Sequence, residues 1–399
     1  MITLPFDIIC VIIDFTATDR GTLSQIALGS RDCSAYANRY IWREFSLTKR
    51  RRVMTPITLE ERCNSVMRDT QRASCVRQLT IALRQNFEAD MSIMTTRHPD
   101  ATGGLIAENT KHGVKRLFDL VAAAVAACAP RLESLLIFGS CHLSDVGHAL
   151  SRLVERPAIY RDTLSPHPPH PASPGSHDGT NTEMLLFPSL TTFDAALSHA
   201  HGIMPFLVYG CPKVGKWEIN GLGAQKCMEN IPRNLFPALE EFQGMSTGLK
   251  DVTRGRRVRR IVTNNSLNAT DDVAVRHLLD GLEASAAPVS ELGITLFLGP
   301  VVAQNFADVQ LMRSIARAAP SLKFLELFSH GEYTEQEYGP DVRHRFAESL
   351  AVFRRLEEFK WWDRRGEQWN DTFAKECFEG SRALQRVIVN KQQHVRGTP

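Results

Sequence analysis

The feature that most constrains this chain is a short pattern of apolar residues that recurs along most of its length. The pattern has apolar residues at its first, fourth and sixth positions, and Leu322–Leu327 is its clearest instance. Its instances begin at Val76, Leu132, Leu190, Val214, Leu239, Val258, Val289, Leu322, Leu356 and Leu384. In five of them a proline stands two positions upstream: Pro130, Pro188, Pro212, Pro237 and Pro320. Because proline cannot continue a helix, this fixed offset indicates that a helix ends before each pattern begins.

Helical patterns separate the later instances. They cover Asp271–Leu282, Asn305–Ala318, Asp341–Val352 and Asn370–Phe378. A helix followed by a short strand, repeated many times, requires parallel strands. We therefore predict an α/β solenoid over residues 70–399, with one alternative left open: a single α/β domain whose strands share the pattern.

The first 48 residues have a different character. Leu4-Pro5-Phe6-Asp7 suits the start of a helix, and Ile8 to Phe15 would make that helix apolar nearly all round, so it needs cover on two sides. Thr22 and Gln25 form a capping-box pattern that predicts a second helix, and Cys33 to Trp42 predicts a third. The alternative is that Ile8 to Phe15 forms a buried first strand of a doubly wound sheet.

The order of these signals resembles the F-box. The resemblance rests on Leu4 to Ile9, Ile12-Ile13, Leu28-Gly29-Ser30-Arg31 and Ile41-Trp42. Gly29 stands where the family usually has valine, and Asp32 or Cys33 falls where a large apolar residue is common. The resemblance implies an F-box-like helical domain over 1–48 that docks on the adaptor subunit of an SCF-type cullin-RING ubiquitin ligase. The adaptor-binding residues that it implies are Leu4, Pro5, Ile8, Ile9, Ile12, Ile26, Leu28 and Trp42.

The recurring pattern resembles the core of leucine-rich repeats. The asparagine typical of that family is missing at the expected places, where Ser140, Ser198, His330 and Arg364 stand, so the array is degenerate. In a solenoid the outward strand positions line one surface, which predicts a target-binding face. The residues expected there are Phe324, Glu326, Phe328, Glu358, Lys360 and Trp362.

Together the two resemblances imply a substrate-recognition adaptor for ubiquitin-dependent protein degradation, with an unknown target protein. The alternative is a repeat-based protein-interaction scaffold unrelated to ubiquitin. A further alternative for the aromatic residues of the target-binding face is that they pack under loops.

Three motifs that could carry chemistry fit non-catalytic interpretations better. Gly210–Lys216 has P-loop spacing, but Trp217 stands where a P-loop has Ser or Thr. Gly244–Gly248 has nucleophile-elbow spacing around Ser246, but the preceding strand is too charged for a central hydrolase strand. Histidines at 167, 170 and 177 lie in the Pro/His-rich segment 165–182, which we expect to be a mobile loop. We therefore expect no catalytic residue, no metal and no cofactor.

Composition limits the cellular setting. The net charge of +3 gives no global attraction to nucleic acid or membranes, and the basic clusters Lys49–Arg52 and Arg254–Arg260 fit solvated faces. Nine cysteines without a CxxC pair favour a reducing compartment, cytoplasmic or nuclear. The apolar segments match neither a signal peptide nor a membrane span.

Overall fold

A computed structural model describes twelve ranges of the chain. They are 5–47, 56–82, 110–138, 148–151, 187–196, 210–220, 228, 231, 235–297, 301–330, 340–363 and 371–397. Leu4, Lys49–Arg52 and the segment 165–182 lie outside these ranges. Chain contacts divide the protein into an amino-terminal unit, Met1–Val214 with Asn234–Phe236, and a carboxy-terminal unit, Gly215–Arg233 with Pro237–Pro399.

The amino-terminal unit opens with three helices, as predicted. These are α1 (Phe6–Phe15), α2 (Arg20–Ala27) and α3 (Arg31–Ile41). Ile13, Leu23 and Ala37 form their fully buried core, and each helix supplies one of them. The alternative in which Ile8 to Phe15 forms a strand is wrong, because this segment lies within α1.

The start of α2 differs from the prediction. Asp19 is the N-cap: its carboxylate accepts hydrogen bonds from the backbone N–H groups of Gly21 (2.9 Å) and Thr22 (3.3 Å). Thr22 therefore lies inside the helix and donates its hydroxyl to Asp19 at 2.6 Å. Asp is among the strongest N-cap residues, and here it outcompetes the capping-box pattern that begins at Thr22.

The strand series of the amino-terminal unit begins directly after α3. Its elements are β1 (Glu44–Leu47), α4 (Pro56–Met67), α5 (Thr70–Cys75), β2 (Gln78–Ala82), α6 (Thr110–Cys128), a 3-10 turn (Ala129–Arg131), β3 (Ser134–Phe138) and β4 (Thr192–Ala196). Each strand pairs in parallel with the next one along the chain. Trp42, Phe45 and Leu47 supply the apolar pattern that leads into β1, an earlier instance that we did not predict.

The carboxy-terminal unit continues the alternation. It contains β5 (Lys216–Asn220), β6 (Glu241–Gly244), α7 (Leu249–Thr253), β7 (Arg260–Asn268), α8 (Asp272–Ala284), β8 (Glu291–Phe297), α9 (Val301–Ala318), β9 (Phe324–His330), α10 (Pro340–Ser349), a 3-10 turn (Leu350–Val352), β10 (Glu358–Asp363), α11 (Asp371–Gly380), β11 (Arg386–Val389) and β12 (Gln392–Val395). Strands β5 to β11 pair in parallel in chain order, and β12 closes the series as an antiparallel partner of β11.

The apolar pattern sets the position of each strand. Every one of the predicted instances is followed by a strand that begins two residues after the first position of the pattern, as β9 begins at Phe324 after Leu322. The apolar positions point into the core: Leu322, Leu325 and Leu327 are at most 1% exposed. The predicted α/β class with parallel strands is confirmed, and strands that follow chain order within each unit are typical of stacked repeats.

Candidate protein-interaction surfaces

Helix α1 carries an exposed row of apolar side chains. Ile8, Val11, Ile12 and Phe15 are 47%, 56%, 41% and 88% exposed. Their spacing of three, four and seven residues places them on one side of the helix. We call these four residues the α1 stripe. An apolar row at this spacing ordinarily faces a core, so its exposure makes it a candidate interaction surface.

The opposite side of α1 packs on α2 and α3, and we call these three helices the head. Ile9 packs against the core formed around Ile13, and the Phe6 ring meets the Tyr36 ring edge-on at 6.3 Å. Asp14 accepts hydrogen bonds from the hydroxyls of Tyr36 (3.0 Å) and Tyr40 (2.6 Å). The hydrogen bond to Asp14 is the main reason that the pKa of Tyr40 rises to about 12. These contacts hold the helix so that the α1 stripe faces away from its own core.

The structure brings some of the predicted adaptor-binding residues together and separates others. Ile8 and Ile12 lie in the α1 stripe, Pro5 is exposed just before α1, and Leu28 is 80% exposed at the end of α2. By contrast Ile9 and Ile26 pack on the head core.

Trp42 has a different environment. Its ring contacts Phe45 with 5.7 Å between centroids, and the Arg72 guanidinium lies 4.9 Å from its ring centre. The sequence analysis missed Val11 and Phe15, although both stand at helical spacing from Ile8.

The predicted target-binding residues lie on two neighbouring strands. In the parallel register of β9 and β10, Phe324 is opposite Glu358, Glu326 is opposite Lys360, and Phe328 is opposite Trp362. All six are half-buried, whereas Leu325, Leu327, Phe359 and Trp361 between them are fully buried. The six side chains therefore share the outward side of the two strands. We call them the β9–β10 face.

Contacts across the strands order this face. The rings of Phe328 and Trp362 stack with 6.2 Å between centroids and 9° between planes. Trp362 Nε1 donates a hydrogen bond to Glu326 Oε1 at 2.6 Å, and Lys360 Nζ lies 4.6 Å from the Phe324 ring centre. These contacts restrict the aromatic side chains to fixed positions, and a surface ordered in this way loses less entropy when it binds a ligand.

A polar edge continues from this face. Glu358 accepts from Arg386 Nη1 at 2.9 Å and lies 3.5 Å from Lys360 Nζ. A groove of about 280 Å³ runs beside Phe324, Glu358, Arg386 and Val395. Aromatic side chains bordered by charged ones are typical of protein-binding hot spots.

The central residues of the two motifs considered for catalysis, Ser246 and Lys216, lie in a turn and at the start of a strand. Ser246 is 1% exposed in the turn after β6, where Asn265 accepts from its backbone N–H (2.7 Å) and donates to its hydroxyl (3.0 Å). Lys216 begins strand β5, whereas a P-loop lysine stands at the start of a helix.

The basic run before β7 is partly structural. Arg256 is buried and donates to the carbonyl oxygens of Asp251 (2.9 Å) and Val252 (2.6 Å). Burial lowers the pKa of its guanidinium. Among the described residues, no group of His, Cys, Asp and Glu could hold a metal, and no helix is long and apolar enough to cross a membrane.

No protein-family model matches the chain, and a search of curated proteins finds no similar sequence.

Proposed function

We propose that this chain is a non-catalytic substrate-recognition adaptor of an SCF-type ubiquitin ligase. The α1 stripe docks on the adaptor subunit, and the β9–β10 face binds a target protein. The observation that carries the proposal is the α1 stripe, because it presents apolar residues at helical spacing on a head whose motif order resembles the F-box.

The size of the head supports docking on a partner. Only three side chains form its fully buried core, and such a small core contributes little stability. Complete burial of an Ile, Val or Phe side chain stabilises by about 1.5–3 kcal/mol. The side chains of the α1 stripe are roughly half exposed, so about half of this free energy is still available to binding. Covering four such residues contributes on the order of 3–6 kcal/mol toward binding.

The β9–β10 face supports the second half of the proposal. It combines stacked rings, a partly exposed ion pair between Arg386 and Glu358, and a neighbouring groove. In a ligase this chain would act by holding its target near the ubiquitin-charged enzyme, so that proximity accelerates the transfer.

The decisive experiment replaces Ile8 and Ile12 with Asp and measures co-purification with the SCF adaptor subunit. Each carboxylate would be forced into an apolar interface, so we expect binding to fall by about 100-fold or more. Val273→Asp is the matched control, because Val273 is an exposed apolar residue (65%) on α8.

Circular dichroism of all variants checks that the helices persist. Adaptor binding that survives the double replacement would refute the docking surface. A wild-type chain that never binds the adaptor, but still binds a protein through the β9–β10 face, would favour the alternative of a repeat scaffold unrelated to ubiquitin.

A further inference from the structure

A basic cleft lies in the amino-terminal unit, and its described lining includes no residue of the α1 stripe. It has a volume of about 550 Å³, and its lining includes Arg39, Arg43, Arg77 and Arg131. Arg39 lies in α3 and Arg43 shortly after it, Arg77 immediately precedes β2, and Arg131 ends the 3-10 turn before β3. They belong to three separate stretches of the sequence, so no single basic run predicts the cleft.

The positive charge of the cleft is only partly compensated. Arg77 Nε lies 3.4 Å from Glu133, which is the one acidic partner of the four arginines in the described ranges. Four arginines against this glutamate leave a net charge of +3. Separately, Arg39 lies 5.3 Å from the Tyr36 ring centre.

The arginines of the cleft differ in how firmly their side chains are held. Arg77 Nη1 donates to the backbone carbonyls of Ser74 (3.2 Å) and Arg131 (3.3 Å), so its guanidinium has a set position. Arg43 and Arg131 are exposed, and within the described ranges neither guanidinium has a hydrogen-bond or ion-pair partner. Both groups are available to a ligand.

We infer that this cleft binds a compact anion that carries two adjacent phosphoryl groups. Each phosphoryl group carries about −1.5 to −2 at neutral pH, so a pair of them balances the +3 of the cleft, which a single group does not. Planar guanidinium groups bind phosphate oxygens in pairs, and four of them can surround one such ligand. The inference does not depend on the proposed ligase role.

The dimensions favour a compact ligand over a nucleic-acid strand. The cleft falls within the range of about 300–1,000 Å³ that is typical of small-molecule sites. Single-stranded nucleic acid additionally needs aromatic faces for base stacking. Tyr40 is the one aromatic residue among the described lining residues, so the cleft offers at most one ring for stacking. The two phosphoryl groups could belong to a free diphosphate or to a doubly phosphorylated peptide, and these sources share the same recognition chemistry.

Calorimetric titration of the full chain tests the inference. The probes are inorganic pyrophosphate, inorganic phosphate, a peptide with two adjacent phosphoserines and its unphosphorylated form. We expect pyrophosphate to bind about tenfold or more tightly than phosphate. If the source is a protein, the phosphorylated peptide will bind more tightly than pyrophosphate; if it is a free diphosphate, the order will be reversed.

The variants Arg43→Gln and Arg131→Gln should each weaken pyrophosphate binding by about tenfold. Arg257→Gln is the matched control, because Arg257 is an exposed arginine of the carboxy-terminal unit. Cys75 also lines the cleft, so pyrophosphate should slow its alkylation while leaving that of Cys10 unchanged.

Three results would overturn the inference. One is equal affinity for phosphate and pyrophosphate, and another is equal weakening by Arg257→Gln. The third is a single-stranded RNA that binds through Arg43 and Arg131 and that pyrophosphate does not displace.

Discussion

At the scale of single residues, Asp14 is one of the contacts that hold α1 against α3. It accepts from both Tyr36 and Tyr40, and it lies on the same helix as the α1 stripe. Hydrogen bonds to a carboxylate stabilise less at an exposed site such as this one than in a shielded interior, because water competes for both groups. The position of the α1 stripe therefore depends in part on a polar contact that lies outside the stripe.

This contact makes the head sensitive to alkaline pH. The pKa of Tyr40 is about 12 in the folded chain, against about 10 for an unfolded tyrosine. Between these values the unfolded state loses its proton first, so stability is fully present below about pH 10 and is lost as the pH rises through about 12. Ultraviolet absorbance of ionised tyrosine, in wild type and Tyr40→Phe, measures the shift. Asp14→Asn should move it back toward 10, and an unshifted tyrosine in the wild type would contradict the contact.

At the scale of elements, the sequence predicts strands better than helix starts. The apolar pattern located the strands because its buried positions recur at a fixed offset from each strand start, as with Leu322 and Phe324. The start of α2 was wrong because two caps compete there, and Asp19 prevails over Thr22. Trp42 was assigned to docking because the F-box resemblance covers it, yet it also fits the repeat pattern before β1.

The sequence analysis missed residues of the candidate sites because their position depends on how the chain folds. Val11 and Phe15 show the same helical periodicity whether they face a core or solvent, so the sequence does not tell which side is exposed. The arginine cleft is assembled by folding from Arg39, Arg43, Arg77 and Arg131, which no local pattern connects. The β9–β10 face was predictable in its placement because alternation along a strand fixes which residues share a side.

The hairpin of β11 and β12 supports a prediction at this scale. Its two turn residues, Asn390 and Lys391, have φ values of 46° and 79°. Such a two-residue turn favours Asn-Gly, because only glycine adopts positive φ without strain. We expect Lys391→Gly to raise the free energy of unfolding by about 0.5–1 kcal/mol, measured by chemical denaturation. Lys391→Ala is the control, since it removes the side chain but keeps Cβ; an equal gain from alanine would exclude backbone strain as the cause.

At the scale of the whole molecule, the cysteines report on both units. The described cysteines are all free thiols, and Cys63, Cys128, Cys211 and Cys377 are buried. Burial raises the pKa of Cys63 and of Cys128 to about 12, and it raises that of Cys377 well above its usual value. Because the thiolate is the reactive form, these groups are protected by two effects at once, their inaccessibility and their protonation.

Alkylation near neutral pH, followed residue by residue with mass spectrometry, should therefore separate two classes of thiol. Cys75 is partly exposed and should react first. Cys10 is also partly exposed, but desolvation and the nearby Asp14 raise its pKa, so it should react more slowly. Cys63 and Cys128 in the amino-terminal unit, and Cys377 in the carboxy-terminal unit, should react only when denaturant opens the core around them. Their labelling then measures the opening of each unit separately, which a single denaturation curve does not. Native-state labelling of Cys63 as fast as that of Cys75 would mean that α4 does not hold its packing, and the repeat core of the amino-terminal unit would have to be revised.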